Sequence, residues 1–386
     1  MKYKKAIIAG FISLDIHLDF SSSHPDFDGE IINTKMPHKI DKLSMAPGGV
    51  VPGVGLALNN LGITPTLVGK VGDDPFGETV KKLIKEKAPN LADDLIIDPG
   101  MATGYQVFLN SAHYFPGVNN TFYASDLRRD VLRAADLFHF GYPALMRSIY
   151  RSEGGELVSI LQRVRREGLS TSVAFGLPDP ESQAGKLDWR NILENTLPLV
   201  DIFVTDLFQL LFYLEPDLYQ QLSDSNHSDL HAHLKSGLLD QICAWVLDHG
   251  VKILIIDMAE GGLYLHTNTS NHWQKSGRGL SDLGEEWSGR EMWSPAFSVE
   301  VKNDRDLHNT LFAGFLAGIL MGFTPEKCLL LAQAARAAAF ENACDPADLP
   351  HWEDLLSRID ENWELGPLRL EKFGFRKGNN GIWERK

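Results

Sequence analysis

Cysteine is scarce in this sequence: three in 386 residues, at Cys243, Cys328 and Cys344. Three widely spaced cysteines make no disulfide framework and show no metal-ligand spacing. They predict reduced, buried thiols in a cytosolic protein. Positive charge is short as well. The 37 Lys and Arg are outnumbered by 51 Asp and Glu, for a formal net charge of −14. That sign argues against nucleic-acid binding, and it requires local positive potential wherever a polyphosphate is to be held. No stretch approaches the roughly 18 apolar residues of a membrane span. The basic start of the chain imitates a leader, but Ser13 and Asp15 interrupt the apolar run of residues 6–12. A buried first strand is the better reading, and the expected location is cytoplasmic. Repeats and low-complexity tracts are also missing, which excludes solenoids.

What is present is an alternation. Short apolar runs at 6–12, 66–68, 137–140, 171–175, 202–205 and 253–256 read as strands. Helical periodicity follows at 54–61, 77–86 and 156–166, and closes the chain at 311–321, 325–340 and 352–359. The βα order predicts an α/β fold: a central, mostly parallel sheet flanked by helices. Two segments depart from it. Residues 14–45 and 103–125 read as antiparallel strands standing off the sheet as a small β lid. Residues 266–292, rich in Ser, Gly, Asn and Trp, read as a surface excursion, with Trp273, Trp287 and Trp293 as anchors rather than a stacking platform. The expected organisation is one domain over residues 1–365 and a loosely held, locally basic tail over 366–386.

Four segments, in order, carry a resemblance. The opening "AIIAGFISLDIHL" ends in Asp15, "PGGVVPGVGLALNNLG" puts Gly48 and Gly49 before a helix, "VGKVGDDPFGE" makes a turn, and "VEVKNDRDLHNTLFAGFLAGIL" enters a helix. Together they resemble the PfkB/ribokinase family of carbohydrate kinases, and further segments resemble an unassigned bacterial sugar-kinase branch of it. The resemblance implies a ribokinase-like fold and ATP- and Mg2+-dependent transfer of a phosphoryl group to a sugar or nucleoside hydroxyl. It places Asp15, Gly48, Gly49 and Gly53 at the substrate, under the lid. It also implies a homodimer through the lid. In that family a Gly-rich turn opens the last signature helix, so that backbone N–H groups face the phosphate, and an Asp accepts the acceptor hydroxyl's proton.

Here the signature departs from the family. Aligned on Ala313-Gly314-Phe315, the base position is Asn309, and the anion-hole positions are Asp306, Leu307 and His308. A carboxamide accepts no proton near neutral pH, and a positioned base contributes roughly 10²–10⁴-fold in rate. A carboxylate ~5 Å from a phosphate, at an effective dielectric of ~20, costs about 3 kcal/mol. The motif that helps to organise Mg2+ has Asp206 and Gln209 in place of Asn and Glu. Ala259 stands where a glycine is usual. Gly53 stands where related kinases place a sugar-binding Asn. Bland readings compete at each point: Asn309 as the N-cap of a helix starting near Thr310, His308 as a solvated loop residue. The residues therefore predict a sugar-binding protein whose phosphoryl transfer is weak or lost. Two alternatives stay open, an active sugar or nucleoside kinase using a displaced base such as Asp304 or Asp306, and a non-catalytic partner of an active paralogue. Asp304 and Asp306 alone do not specify a metal site, and none is assigned.

Overall fold

The structure is a computed structural model that describes residues 3–19, 40–109, 112–224, 237–301, 307–342 and 348–385. In chain order the strands are β1 (Ala6–Gly10), β2 (Ser13–Asp19), β3 (Lys42–Gly48), β4 (Thr66–Val68), β5 (Lys70–Gly72), β6 (Ile96–Asp98), β7 (Tyr105–Phe108) and β8 (Ala112–Phe115). They continue with β9 (Leu137–Gly141), β10 (Ser170–Ala174), β11 (Ile202–Asp206), β12 (Ile253–Asp257), β13 (Leu263–Thr267), β14 (Glu291–Ser294), β15 (Arg376–Lys377) and β16 (Trp383–Arg385). The helices are α1 (Val50–Asn60), α2 (Pro75–Lys87), α3 (Arg129–Arg133), α4 (Arg147–Arg166), α5 (Trp189–Thr196), α6 (Leu207–Leu214), α7 (Pro216–Asp224), α8 (Leu238–Asp248), α9 (His308–Met321), α10 (Pro325–Glu341) and α11 (Trp352–Asp360).

The main sheet has ten strands in the order β15-β16-β14-β13-β12-β11-β10-β9-β1-β4. From β4 to β12 every pairing is parallel, and from β12 outward every pairing is antiparallel. The parallel strands read as continuous apolar runs because both faces are covered. In β12, Ile253 and Ile255 join the core on one face while Leu254 and Ile256 join the core on the other. Helices α1, α9 and α10 supply the first face. Helix α9 is buried on nearly all sides, and its glycines explain how: a Cβ on Gly314 would lie 2.7 Å from Ala332 Cα, and one on Gly318 would lie 2.6 Å from Cys328 Sγ. "AGFLAG" is thus a close-packing stripe against α10. Among the described residues, Cys243 and Cys328 are free and buried, and no helix is long and apolar enough to cross a membrane.

The second sheet, β3-β2-β7-β8, is the small β unit beside the cleft. It is not wholly antiparallel: β2 pairs β7 in parallel, with Asp15 opposite Gln106. The main-domain chain between the two strands, including α1 and α2, is the crossover that a parallel pair requires. Residues 20–39 of the expected lid lie outside the described residues. The turn before α2 is tied to this sheet's root. Asp74 caps α2 by accepting from Gly77 N at 2.8 Å, and it also accepts from Thr103 Oγ1 at 2.6 Å.

Two expectations are corrected. Residues 266–292 are not merely superficial: Leu280 and Trp287 are buried, and Trp287 Nε1 donates to Phe323 O at 3.2 Å. Residues 366–385 are not a loose end. They add β15 and β16 to the main sheet and bury Leu370, Phe375, Ile382 and Trp383. Arg385 pairs there with Asp240 and Glu291, beside a cavity of about 480 Å³. The sequence showed the tail's basic charge, but the partners that neutralise it are distant along the chain.

Candidate functional site

Parallel strands bring their carboxyl ends together, and the residues that follow them face one cleft. Strand β1 ends at Gly10 (φ +119°), where a Cβ would lie 2.2 Å from Gly141 O of β9. Tyr142 follows β9 in the left-handed region at φ 56°, unusual for a bulky side chain. It is held by its backbone N–H to Ala174 O at 3.0 Å and by the contact of its ring with Gly176, where a Cβ would lie 3.0 Å from the ring. Strands β11 and β12 end in Asp206 and Asp257.

At one end of the cleft lies Asp15. Its Oδ1 accepts from Ser13 Oγ at 2.7 Å and from Gln106 Nε2 at 3.2 Å. The carboxylate lies against Gly48, where a Cβ would fall 1.8 Å from Oδ1. Gly49 caps α1 at φ +85°, and its Cβ would fall 2.5 Å from Phe11 O. Both glycines are therefore required by a carboxylate and a backbone that approach closely. Aromatic rings line this end: Phe11 lies 6.5 Å from both Tyr114 and Tyr142, between ring centroids.

At the other end is the first turn of α9. The helix begins at His308 with Leu307 as its cap, so Asn309 lies inside the helix and is not its N-cap. The correction has a physical reason: the Asn309 side chain is engaged across the cleft. Tyr142 Oη donates to Asn309 Oδ1 at 2.9 Å. Asn309 Nδ2 lies over Gly53, where a Cβ would be 2.7 Å from it. Gly53 leaves space, and the carboxamide of Asn309 lies against it.

His308 is not a solvated loop residue either. Its Nδ1 is 2.5 Å from Asp257 Oδ2, and its Nε2 is 3.6 Å from Asp206 Oδ2. Asp257 is buried and accepts from Arg336 Nη1 of α10 at 2.7 Å and from Ala259 N at 2.9 Å. Burial pushes the Asp257 carboxyl up, but the Arg336 charge and the His308 hydrogen bond outweigh it and hold it below the usual carboxylate range. Arg336 also donates to Ala259 O at 3.2 Å and to Gln333 Oε1 at 2.8 Å. Ala259 itself has φ 52°, so the residue that replaces the usual glycine sits in glycine's conformation.

Asp206 caps α6 by accepting from Gln209 N at 2.8 Å, and Gln209 Oε1 accepts from Thr205 Oγ1 at 3.4 Å. Both residues are thus engaged in the local turn. Among the described residues, no group of three or more His, Cys, Asp or Glu is placed to hold a metal ion. A cleft of about 570 Å³ opens beside His308, lined by Asp257, Ala259, Phe297, Val299, Leu307, Arg336 and Phe340. Its apolar wall suits a flat base. Its basic side chains, Arg336 and the His308 imidazole, already contact carboxylates. Among the described residues, the donor set around Asp206 and Gln209 does not fit a resident Mg2+.

The structure brings Asp15, Gly48 and Gly49 together at one end, and Gly53, Asn309, Leu307, His308 and Asp206 at the other. Asp304, Arg305 and Asp306 lie outside the described residues. Sequence reasoning missed Tyr142, Asp257 and Arg336. Arg336 did leave a signal, a lone charge inside "AQAARAAAF".

No family model matches the chain. Over 109 residues it is 31% identical to a probable fructokinase of Arabidopsis thaliana, a match covering 26% of this chain and 33% of that one. The chain thus spans about a third of the length of the curated relatives it matches. Among solved structures, the fructokinase of Xylella fastidiosa with bound ATP superposes with TM-score 0.64 at 15% identity, over 94% of this chain and 100% of the other. The ribokinase of Arabidopsis thaliana, complexed with ribose and ATP, superposes with TM-score 0.65 at 14% identity, over 92% and 98%. The fold is ribokinase-like.

Proposed function

Because this chain carries the ribokinase-like fold and is a sequence relative of PfkB carbohydrate kinases, we propose that it is a sugar-binding protein whose phosphoryl transfer is weak or lost. The observation that carries this reading is Asn309, a carboxamide pinned by Tyr142 at the position of the family's base. It offers no carboxylate to take the hydroxyl proton, and such a base is worth about 10²–10⁴-fold. His308 adds to the argument: at an anion-hole position its ring lies between two carboxylates, whose charge repels a phosphate. Asp15 keeps the opposite character, a carboxylate that accepts hydroxyl hydrogen bonds from a sugar or nucleoside. ATP and Mg2+, expected of the family, bind weakly on this reading, because α9's first turn offers a polyphosphate no cation free of a carboxylate among the described residues. The partner that it carries is a second copy of the chain through the small sheet, where Leu43, Met45 and Phe115 are exposed.

The test is calorimetric titration with Mg·ATP, with and without a panel of sugars and nucleosides, alongside an ADP-release assay. Sugar binding without turnover is the expected result. A micromolar Kd for Mg·ATP, about −8 kcal/mol, together with sugar-dependent ADP release, overturns it.

A further inference from the structure

Asn309 replaces an acceptor of hydrogen bonds with a donor, and the direction of that donor is set. The carboxamide Oδ1 is taken by the Tyr142 hydroxyl. In the structure this leaves Nδ2, with its two N–H groups, on the side of the cleft next to Gly53. Nδ2 makes no hydrogen bond to any described residue. One residue on, Thr310 Oγ1 is buried without a partner among the described residues, on the same first turn of α9.

A neutral sugar hydroxyl donating toward a base suits a carboxylate at this position. An N–H pair suits an oxygen that only accepts. The other end of the same groove keeps its acceptor, Asp15, which suits free hydroxyls. Gly49, which follows the Gly48 that touches Asp15 and caps α1, and Gly53, beside Asn309, are four residues apart, about 6 Å along the helix axis, a span of the order of one sugar ring. We propose that the ligand is an anionic sugar: hydroxyls at the Asp15 end, and a phosphate ester or carboxylate at the Asn309 end. This inference rests on the sugar-binding reading above and narrows it. Tyr142 acts here as a positioning residue that engages the carboxamide oxygen and leaves the N–H groups toward Gly53.

The experiment compares three matched probes by calorimetry, without nucleotide: glucose, glucose 6-phosphate and gluconate, with ribose and ribose 5-phosphate as a second pair. Inorganic phosphate serves as competitor. At least one anionic probe is expected to bind about tenfold or more tighter than its neutral parent. Which anion wins identifies the group as a phosphate or a carboxylate, and competition by inorganic phosphate supports the former. Asn309→Asp, nearly isosteric, should weaken the anionic probe about tenfold or more and bind the neutral one as well or better, because a carboxylate accepts from its hydroxyl. Tyr142→Phe should narrow the gap between anion and neutral sugar with the fold retained by circular dichroism, which a merely structural role would not do. Equal or tighter binding of the neutral sugar, an unchanged preference in Asn309→Asp, or no binding of any probe overturns the inference. Efficient turnover of a neutral sugar with Mg·ATP instead removes its premise, so the two failures are separable.

Discussion

The two ends of the cleft have been treated differently. At the Asp15 end, small residues make room: Gly48 and Gly49 let a carboxylate and a backbone carbonyl approach closely. At the α9 end, polar side chains fill the room and satisfy one another, through Tyr142–Asn309 and through Arg336–Asp257–His308. A site that carries out phosphoryl transfer keeps its donors bare for the transition state. A site whose donors are already paired is built for stability. The difference marks Arg336–Asp257–His308 as a paired structural network, and leaves Asp15 and the Asn309 amide as the groups that a ligand would meet on the proposed reading.

The sharpest way to break this comparison is to remove Arg336. Arg336→Ala leaves Asp257 buried beside His308 without its guanidinium, and about 3–5 kcal/mol of stability should be lost. Urea unfolding of the two proteins measures this. If the loss is below ~1 kcal/mol, the α9 end is not a structural network. Asp257 gives the sign in acid: its lowered pKa contributes stability that is present above its ordinary value of 3.8 and lost as pH falls below that.

A second pH effect lies under Tyr142's own strand. His139 of β9 is buried; its Nδ1 is 2.9 Å from Ser172 Oγ and its Nε2 has no partner among the described residues. Burial pushes the imidazole down to about 3. The unfolded chain then binds more protons than the native one between pH 6.5 and about 3, so stability falls as pH drops through that window. At pH 4.5 the loss relative to pH 7 should be about 2–3 kcal/mol from this group. In His139→Gln that share should vanish, flattening the urea midpoint between pH 7 and 4.5. An equal slope in both proteins would show that the acid sensitivity belongs to the carboxylates.

The fold was legible because its signals are local. Apolar strand runs and the βα alternation depend on neighbouring residues, and the parallel core from β4 to β12 followed from them. The grouping of Asp15 with Gly48 and Gly49 was read from the family resemblance, and the structure places the three together where β2, the end of β3 and the cap of α1 meet. The α9 end was not legible. It is assembled from positions 53, 142, 206, 257, 309 and 336, and the hydrogen bond that takes Asn309 out of an N-cap role comes from a tyrosine 167 residues away. His308 looked like a loop residue until strands β11 and β12 supplied its carboxylates. The tail's β15 and β16 were illegible because a two-residue and a three-residue strand carry too little periodicity to register.

A pair of glycine substitutions sharpens the comparison further. Gly53→Ala drives a methyl into Asn309 Nδ2 and should cost about 1–3 kcal/mol. Gly48→Ala must push the Asp15 carboxylate off Ser13 and Gln106, so on the sugar-binding reading it should cost sugar affinity as well as stability. Melting curves and calorimetry on both variants measure this. Unchanged sugar affinity in Gly48→Ala would remove Asp15 from the proposed binding end.

The smallest effect concerns Ala259, where a β-carbon is held at φ 52°. The left-handed region costs an L-residue about 1–2 kcal/mol, and glycine's extra freedom in the unfolded chain returns part of that. Ala259→Gly should therefore stabilise the protein by about 0.5–1 kcal/mol, a rise in Tm of about 1–2 °C for a chain of this size. The hydrogen bonds of Ala259 to Asp257 and Arg336 use backbone atoms alone, so the substitution leaves them intact. A fall in Tm would mean that the methyl packs against the cleft wall strongly enough to offset its strain. Unchanged Mg·ATP binding in the same variant would place the barrier to nucleotide at His308 and Asn309 rather than at this turn.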